Sequence, residues 1–187
     1  MEKLLLVGSG GFGRVVLEHT KAQYDCAFLD DGVETGTLVD GTAVIGESSD
    51  IKKLYPEYKL LLVTIGNNSL REKIYTEARE IGYNFPNIIH PTAYISPYSH
   101  IGSGCVILNN AVMQNNARCG DGCILNPGVE LHHDSTIGSY CLIYTNSVVR
   151  SLTHVGDRVW IGANATVSTS ATVPDDAKVE DGEVIKT

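Results

Sequence analysis

An apolar residue recurs at every sixth position from Ile89 to the end of the chain, and this spacing constrains the fold more than any other feature. Seventeen consecutive positions keep it, without slip or insertion: Ile89, Ile95, Ile101, Ile107, Met113, Cys119, Leu125, Leu131, Ile137, Ile143, Val149, Val155, Ile161, Val167, Val173, Val179 and Ile185. The residue four positions further on is nearly always small. A period of six fits neither an α-helix nor an alternating strand, so it indicates a structural repeat.

Three six-residue repeats make one triangular coil of 18 residues, so residues i and i+18 are expected to stack into a cooperative rod. The stretches between the apolar positions are rich in glycine, asparagine and aspartate. Such residues suit corners that need a positive φ angle. We expect this backbone at Gly102, Gly104, Asn109, Asn110, residues 120–122 and Gly138.

Composition narrows the classes of function. The chain has 187 residues, is 43% hydrophobic and has a net charge of −8, which argues against nucleic acid or an anionic membrane as a partner. The only early apolar run, residues 3–7, is too short for membrane insertion. Four of the five cysteines fall on repeat positions, where Cys acts as a small buried hydrophobe, and no second ligand pair follows them. We therefore predict no metal site and a cytoplasmic location.

The N-terminal part begins with a strand, a glycine turn, a helix and a second strand. Residues 3–7 are the first strand, residues 8–13 read Gly-Ser-Gly-Gly-Phe-Gly, residues 14–23 are helical, and the strand at 26–29 ends in Asp30-Asp31. A helix N-terminus with bare amides can hold a phosphate, and the carboxylates are placed to bind a ribose or a base. The alternative is that the glycines only make a tight turn.

The following residues predict the rest of a small α/β domain. A loop at 32–46, a short helix at 48–55 and a strand at 58–65 precede a helix at 70–81, which Asn68 or Ser69 is expected to cap. Residues 84–89 then return as a fourth strand. Four strands are half of a doubly wound sheet, with room for a sugar nucleotide rather than for all of NAD. The predicted domains are therefore 1–88, Rossmann-like, and 89–187, the repeat domain.

Two polar stretches are candidate sites. Gly66-Asn67-Asn68 follows a buried strand at the carboxyl edge, where open α/β sheets bind ligands, although a plain turn and cap explains it as well. His133 and Asp134 follow the inward residue Leu131, so they lie on an exposed corner. There a histidine with an adjacent carboxylate can act as a general base, and the alternative is a pair of solvated corner residues.

The uninterrupted repeat resembles that of the hexapeptide-repeat acyltransferases, which fold as left-handed parallel β-helices. The whole chain is similar to one branch of them, the bacterial sugar acetyltransferases that N-acetylate a UDP-4-amino-4,6-dideoxy sugar, with sialic acid O-acetyltransferases as relatives. The resemblance is carried by residues 8–13, 28–31, 65–68 and 89–91 and by the His133-Asp134 corner.

The resemblance implies a function and a set of site residues. The N-terminal domain is expected to hold the UDP-sugar through Gly10, Gly11, Phe12, Asp30, Asp31, Gly66, Asn67 and Asn68. His133 matches the catalytic base, Asp134 its acidic partner, and Asn126 an asparagine lining the site. Acetyl-CoA, the co-substrate, is expected between the subunits of a homotrimer, at Leu142, Gly162 and Ala163.

The chain departs from the family pattern around these positions. Phe12 replaces a histidine of the glycine turn, and Leu142 replaces a second histidine near the thioester. Asn146, Arg150 and Ser151 replace small residues, which is expected to narrow the groove of the acyl donor. Three alternatives to amine acetylation follow: O-acetylation of sialic acid or a related sugar, sugar-nucleotide binding without catalysis, and, last, a small NAD-dependent protein.

Overall fold

The computed structural model describes all 187 residues, which form two compact units, Met1–Pro86 and Asn87–Thr187. No helix in either unit has the length and hydrophobicity that crossing a bilayer requires. The elements of the first unit are β1 (Glu2–Val7), α1 (Gly11–Thr20), β2 (Tyr24–Leu29), β3 (Leu38–Val39), β4 (Thr42–Gly46), a 3₁₀ turn (Ser48–Asp50), α2 (Ile51–Leu54), β5 (Leu60–Val63) and α3 (Asn68–Ile81).

The first unit is built on a five-stranded sheet of order β3-β4-β2-β1-β5. The strands β4, β2, β1 and β5 run parallel, and β3 pairs antiparallel with β4. The central strand β1 is a continuous apolar run, because a parallel strand with neighbours on both sides is covered on both faces. Leu4, Leu5 and Leu6 are accordingly fully buried.

Four predictions for this unit were wrong in detail. The predicted loop at 32–46 contains the hairpin of β3 and β4, which its many Gly and Thr residues concealed. The first helix begins at Gly11 and ends at Thr20, so the end of the glycine turn is already helical. Residue Asn67 caps α3, not Asn68 or Ser69. Asn84 makes only one bridge, to Leu60, and residues 88–89 pair inside the second unit instead.

The second unit is a parallel β-helix of two-residue strands. The strands are β6 (Ile88–Ile89), β7 (Tyr94–Ile95), β8 (His100–Ile101), β9 (Val106–Ile107), β10 (Val112–Met113), β11 (Arg118–Cys119), β12 (Ile124–Leu125), β13 (Glu130–Leu131), β14 (Thr136–Ile137), β15 (Leu142–Ile143), β16 (Val148–Val149), β17 (His154–Val155), β18 (Trp160–Ile161), β19 (Thr166–Val167), β20 (Thr172–Val173), β21 (Lys178–Val179) and β22 (Val184–Ile185). They form three sheets, and every strand pairs with the strand 18 residues away, as in Leu131 with Val149.

The predicted apolar positions fill the interior of this unit. From Ile107 to Val179 they form one buried cluster together with the small residues four positions after each of them. The two ends of the rod are less covered, since Ile89 is exposed and Ile95, Ile101 and Ile185 are partly buried. The 18-residue coil predicted from the sequence is confirmed.

Every sixth residue from Gly104 to Gly182 has a positive φ angle, and these residues are the corners of the coils. Gly104 and Asn110 were predicted among them. The prediction was wrong for Gly102, Asn109, Gly120 and Gly138, which have ordinary backbone angles. Three of these are glycines for a different reason: a Cβ at Gly120, for example, would meet the backbone nitrogen of Ser139 in the next coil at 2.6 Å.

Candidate active site

The corner after β13 places His133 and Asp134 next to each other in solvent. Leu131 anchors the corner in the core, and Asp134 takes the left-handed backbone at φ 59°. The imidazole Nδ1 of His133 lies 2.8 Å from Oδ2 of Asp134. The backbone N–H of His133 donates to Oε1 of Gln114 at 3.0 Å, which fixes the base of the side chain to the preceding coil.

Asp134 is held from the other side by Asn116. Its Oδ1 accepts a hydrogen bond of 2.7 Å from Nδ2 of Asn116, whose own Oδ1 accepts one from Arg118 at 3.2 Å. The bonds from Asn116 and His133 lower the pKa of the Asp134 carboxyl below its ordinary value. A carboxylate fixed in this way favours the proton on Nδ1 of His133, so Nε2 carries the lone pair and can accept a proton.

Asn116 was not predicted, although the sequence contains the signal that identifies it. It lies 18 residues before Asp134, which is one coil of the repeat. Stacked residues of neighbouring strands are about 4.8 Å apart, within reach of a side-chain hydrogen bond. The corner is therefore a three-residue network spanning two coils.

A hollow of about 400 Å³ opens beside His133. It is lined by Tyr94, Ser96, Pro97, Tyr98, Gln114, Asn115 and His133. The lining comes from the two coils that precede the coil of His133. The hollow therefore extends from the histidine toward the N-terminal end of the rod.

The corner of the following coil offers free backbone donors. At equivalent corners the third residue donates its N–H to the preceding coil, as Asp134 does to the carbonyl of Asn115 at 3.1 Å. Leu152, at φ 62°, makes no such bond, and the amide of Ser151 also has no acceptor. Two successive free N–H groups at a turn can stabilise an anionic oxygen. The register of Leu131 with Val149 places them one coil after His133.

The other predicted residues of this domain lie elsewhere on the coil. Asn126 and Gly162 are on the corner that follows β12 and β18, and Asn126 donates from Nδ2 to the carbonyl of Ile143 at 3.0 Å. Leu142 is buried on β15. The amide of Ala163 donates to Asp181 at 2.8 Å. Within one chain, the structure does not bring these four residues to the His133 corner.

The N-terminal unit has its own pocket of about 420 Å³ at the carboxyl edge of the sheet. It brings together the predicted residues Gly10, Gly11, Phe12, Asp30, Asp31 and Gly66. Sequence reasoning missed Ser48, Thr64 and Leu70, which also line it. Thr64 ends the β5 region and Leu70 begins the buried side of α3, so only the folded topology reveals that they meet the glycine turn.

The two carboxylates of this pocket already bind the protein. Asp30 accepts hydrogen bonds from the amide and hydroxyl of Ser9, both at 2.7 Å, and from the amide of Gly32 at 2.9 Å. Partial burial acts to raise the pKa of Asp30, but these bonds outweigh it and lower the pKa. Asp31 accepts from the amide and hydroxyl of Ser48 at 2.6 and 2.8 Å. Both side chains therefore stabilise the pocket walls as well as presenting negative charge.

Asn67 and Asn68 do not line the pocket and have structural contacts. Oδ1 of Asn67 accepts the amide of Leu70 at 3.0 Å as the cap of α3. Oδ1 of Asn68 accepts from the guanidinium of the fully buried Arg71 at 2.8 Å, and this guanidinium also donates to the carbonyl of Ile65. The turn therefore shapes the edge of the pocket through its backbone.

Comparisons with known proteins agree with both units. The PglD N-terminal domain family matches residues 3–78, and the bacterial transferase hexapeptide family (six repeats) matches residues 116–151. UDP-N-acetylbacillosamine N-acetyltransferase from Bacillus subtilis (strain 168) is 34% identical over 116 residues, which cover 58% of this chain and 52% of that protein. The chain thus spans about half the length of this curated relative.

Two solved structures match over the full chain. The acetyltransferase domain of PglB from Neisseria gonorrhoeae FA1090 is 30% identical, with a TM-score of 0.93, and the match covers 100% of this chain and 92% of that one. Perosamine N-acetyltransferase from Caulobacter crescentus was solved as a histidine-to-asparagine variant with CoA and GDP-perosamine. It is 28% identical, with a TM-score of 0.94, covering 100% and 89% of the two chains.

These matches confirm the predicted fold, a small Rossmann-like domain followed by a left-handed β-helix of hexapeptide repeats. The identity of 30% extends over nearly the whole of a solved acetyltransferase domain. The chain belongs to the family of hexapeptide-repeat sugar acetyltransferases.

Proposed function

We propose that the protein transfers an acetyl group from acetyl-CoA to the amino group of a UDP-linked amino-deoxy sugar, with His133 as general base. The observation that carries the proposal is the network of His133, Asp134 and Asn116, which orients one imidazole nitrogen and leaves the other open. Among its relatives, the Bacillus subtilis protein is named for N-acetylation of a UDP-sugar, and the Caulobacter crescentus structure holds CoA and a GDP-amino sugar.

The proposed reaction needs one base and no covalent enzyme intermediate. The nitrogen lone pair of the neutral amine attacks the thioester carbonyl, and Nε2 of His133 accepts the amine proton as the C–N bond forms. The tetrahedral intermediate collapses, the C–S bond breaks, and the protonated imidazole returns the proton to the CoA sulfur. Asp134 stabilises the imidazolium and holds its orientation.

The oxygen of the tetrahedral intermediate carries the negative charge and requires donors. The free amides of Ser151 and Leu152, one coil after His133, are the groups that we assign to this role. Preformed backbone donors are effective because they need no reorganisation during the reaction, and the loss of one such donor typically costs about 10²- to 10³-fold in kcat.

The N-terminal pocket supplies the nucleotide site in this proposal. Gly10 is the N-cap of α1, so the first amides of the helix at Gly11 and Phe12 can donate to a phosphate. Asp30 and Asp31 contribute acceptors on the opposite side of the pocket, where a ribose or the imide N–H of uracil can donate.

We further propose that the working enzyme is a homotrimer in the cytoplasm. Leu142, Gly162 and Ala163 are the residues expected at acetyl-CoA, and they lie away from the His133 corner of their own chain. A groove between subunits, in which one chain supplies the base and its neighbour these residues, reconciles both assignments. Five unpaired thiols agree with a reducing compartment.

The test is release of free thiol from acetyl-CoA in the presence of a panel of UDP-amino sugars. One amino sugar is expected to be acetylated, and His133→Ala is expected to lower kcat by about 10²- to 10⁴-fold while the oligomer stays folded. Full activity of this variant would exclude His133 as the base.

The same panel separates the alternatives. Reaction only with hydroxyl sugars such as a sialic acid would replace amine by hydroxyl transfer. Calorimetry that detects UDP-sugar binding but no binding of acetyl-CoA would show a binding protein without catalysis.

A further inference from the structure

The hollow beside His133 contains aromatic and amide groups that neither the fold nor the proposed base requires. Tyr94 is 59% exposed and Tyr98 is 68% exposed, and neither phenol hydroxyl has a hydrogen-bond partner in the structure. The side chain of Asn115 also makes no hydrogen bond. Gln114 accepts one bond at Oε1, from His133, and its amide N–H groups remain available.

The lining is neutral apart from the histidine itself. It contains no Lys, Arg, Asp or Glu side chain, although the chain as a whole is rich in charge. A nucleotide or the pyrophosphate of CoA would need cationic or clustered amide partners, and the hollow offers neither. Flat aromatic faces together with amide donors and acceptors suit a neutral ring that carries hydroxyl groups.

Position along the rod separates the hollow from the acyl donor. Tyr94, Tyr98 and Gln114 belong to the coils before His133, whereas the free amides of Ser151 and Leu152 belong to the coil after it. The amides must face the thioester carbonyl if they stabilise its oxygen. The attacking amine then approaches His133 from the opposite side, which is the side of the hollow.

We propose that this hollow holds the acceptor sugar ring and that Tyr94 and Tyr98 determine which sugars are accepted. The inference rests on the proposed function, because it places the acceptor relative to the base assigned there. The tyrosine faces pack on the ring, and the amides of Gln114 and Asn115 bind its hydroxyl groups.

The experiment measures three affinities in Tyr98→Ala and Tyr94→Ala. The KM for the UDP-amino sugar is expected to rise roughly 3- to 10-fold, the size of one aromatic contact, while the KM for acetyl-CoA and the calorimetric Kd for UDP alone stay unchanged. Tyr98→Phe keeps the ring face and is expected to retain most of the sugar affinity. Val184→Ala is the matched control, since Val184 is equally exposed, at 52%, on the outward row of Tyr94 at the other end of the rod.

Three results would overturn the inference: an increase in the KM for acetyl-CoA instead, no change in any constant, or a change of oligomeric state in sedimentation that accounts for the loss. A failure of the proposed function is distinguishable, because the calorimetric difference between UDP-sugar and UDP binding tests the hollow without any turnover. If no sugar is acetylated but this difference shrinks in Tyr98→Ala, the hollow is a sugar site of a binding protein.

Discussion

Asp134 combines a left-handed backbone angle with two side-chain partners, and this combination explains the geometry of the proposed base. Only a residue that tolerates positive φ can stand at the corner, and among such residues an aspartate also provides a carboxylate one residue after His133. Asn116 occupies the equivalent corner one coil earlier, also at positive φ. The same backbone requirement thus placed both partners of the network.

Asn116→Gly tests this network without straining the corner, because glycine adopts positive φ freely. The bond from Asn116 is the largest cause of the lowered Asp134 pKa, so its loss is expected to raise that pKa toward about 3.9. Carbon-detected NMR titration of the carboxyl measures this shift, and kcat is expected to fall with little change in KM. Asn115→Ala is the control and should leave the titration unchanged.

The sign of the pH effect on folding follows from the same bond. A carboxyl whose pKa is lower in the folded state stabilises the fold above its unfolded pKa and loses that contribution as the pH falls through the folded value. Acid unfolding below about pH 4 is therefore expected to begin at a higher pH in Asn116→Gly than in the native protein. Identical acid transitions would contradict the assigned role of Asn116.

Leu152 occupies a left-handed corner at a cost that other residues avoid. Its side chain is 59% exposed, so little packing offsets the steric penalty. Leu152→Asn is expected to stabilise the protein by about 1 kcal/mol in urea unfolding, because asparagine tolerates this backbone better. The reciprocal change Asn146→Leu, at an equivalent exposed corner of φ 59°, should destabilise by a similar amount. Equal stabilities of all three proteins would show that the corner is not strained.

At the level of the coil, the small residues four positions after each apolar position form a row of inward donors. The thiols of Cys105, Cys123 and Cys141 donate to carbonyls 15 residues ahead at 3.1 to 3.2 Å. The hydroxyls of Ser147 and Thr153 make the same bond at 2.5 and 3.0 Å. The position therefore selects a small side chain with a hydrogen to donate.

Replacement of cysteines by serine is expected to separate the two kinds of interior position. Cys123→Ser keeps a donor to the same carbonyl and should cost less than about 1 kcal/mol. Cys119→Ser, at an apolar position whose only printed thiol contact is a long one of 3.6 Å to Gly120, should cost about 1–3 kcal/mol, since the hydroxyl is buried with a poor partner. Urea unfolding at matched protein concentration provides the comparison.

The elements show how far the sequence could predict the structure. The period of six fixes both the interior and the 18-residue register, because every step repeats the same local choice. The hairpin of β3 and β4 has no such repetition, and its Gly and Thr residues read equally well as a loop. The Ser9 contact of Asp30 and the pocket position of Thr64 were not predictable either, since they depend on how distant segments meet in the folded sheet.

For the whole molecule, the proposed shared groove predicts complementation between inactive chains. Chains with His133→Ala lack the base, and chains with Ala163→Trp are expected to block the acetyl-CoA groove. If neighbouring subunits share a site, co-expressed mixtures regain partial activity, because some sites combine an intact His133 with an intact Ala163. Mixtures that remain as inactive as the separate variants would show that each chain carries a complete site.

The strict 18-residue register also restricts how this chain can change in length. A deletion of six residues between β13 and β16 would turn all downstream coils by one third of a revolution and carry the free amides of Ser151 and Leu152 to another edge of the triangle. A deletion of a full coil leaves each edge in line but substitutes one coil for the next. Insertions are therefore tolerated chiefly as loops that leave and rejoin at a single corner, and the spacing of 18 between Asn116 and Asp134 acts as a fixed ruler along the rod.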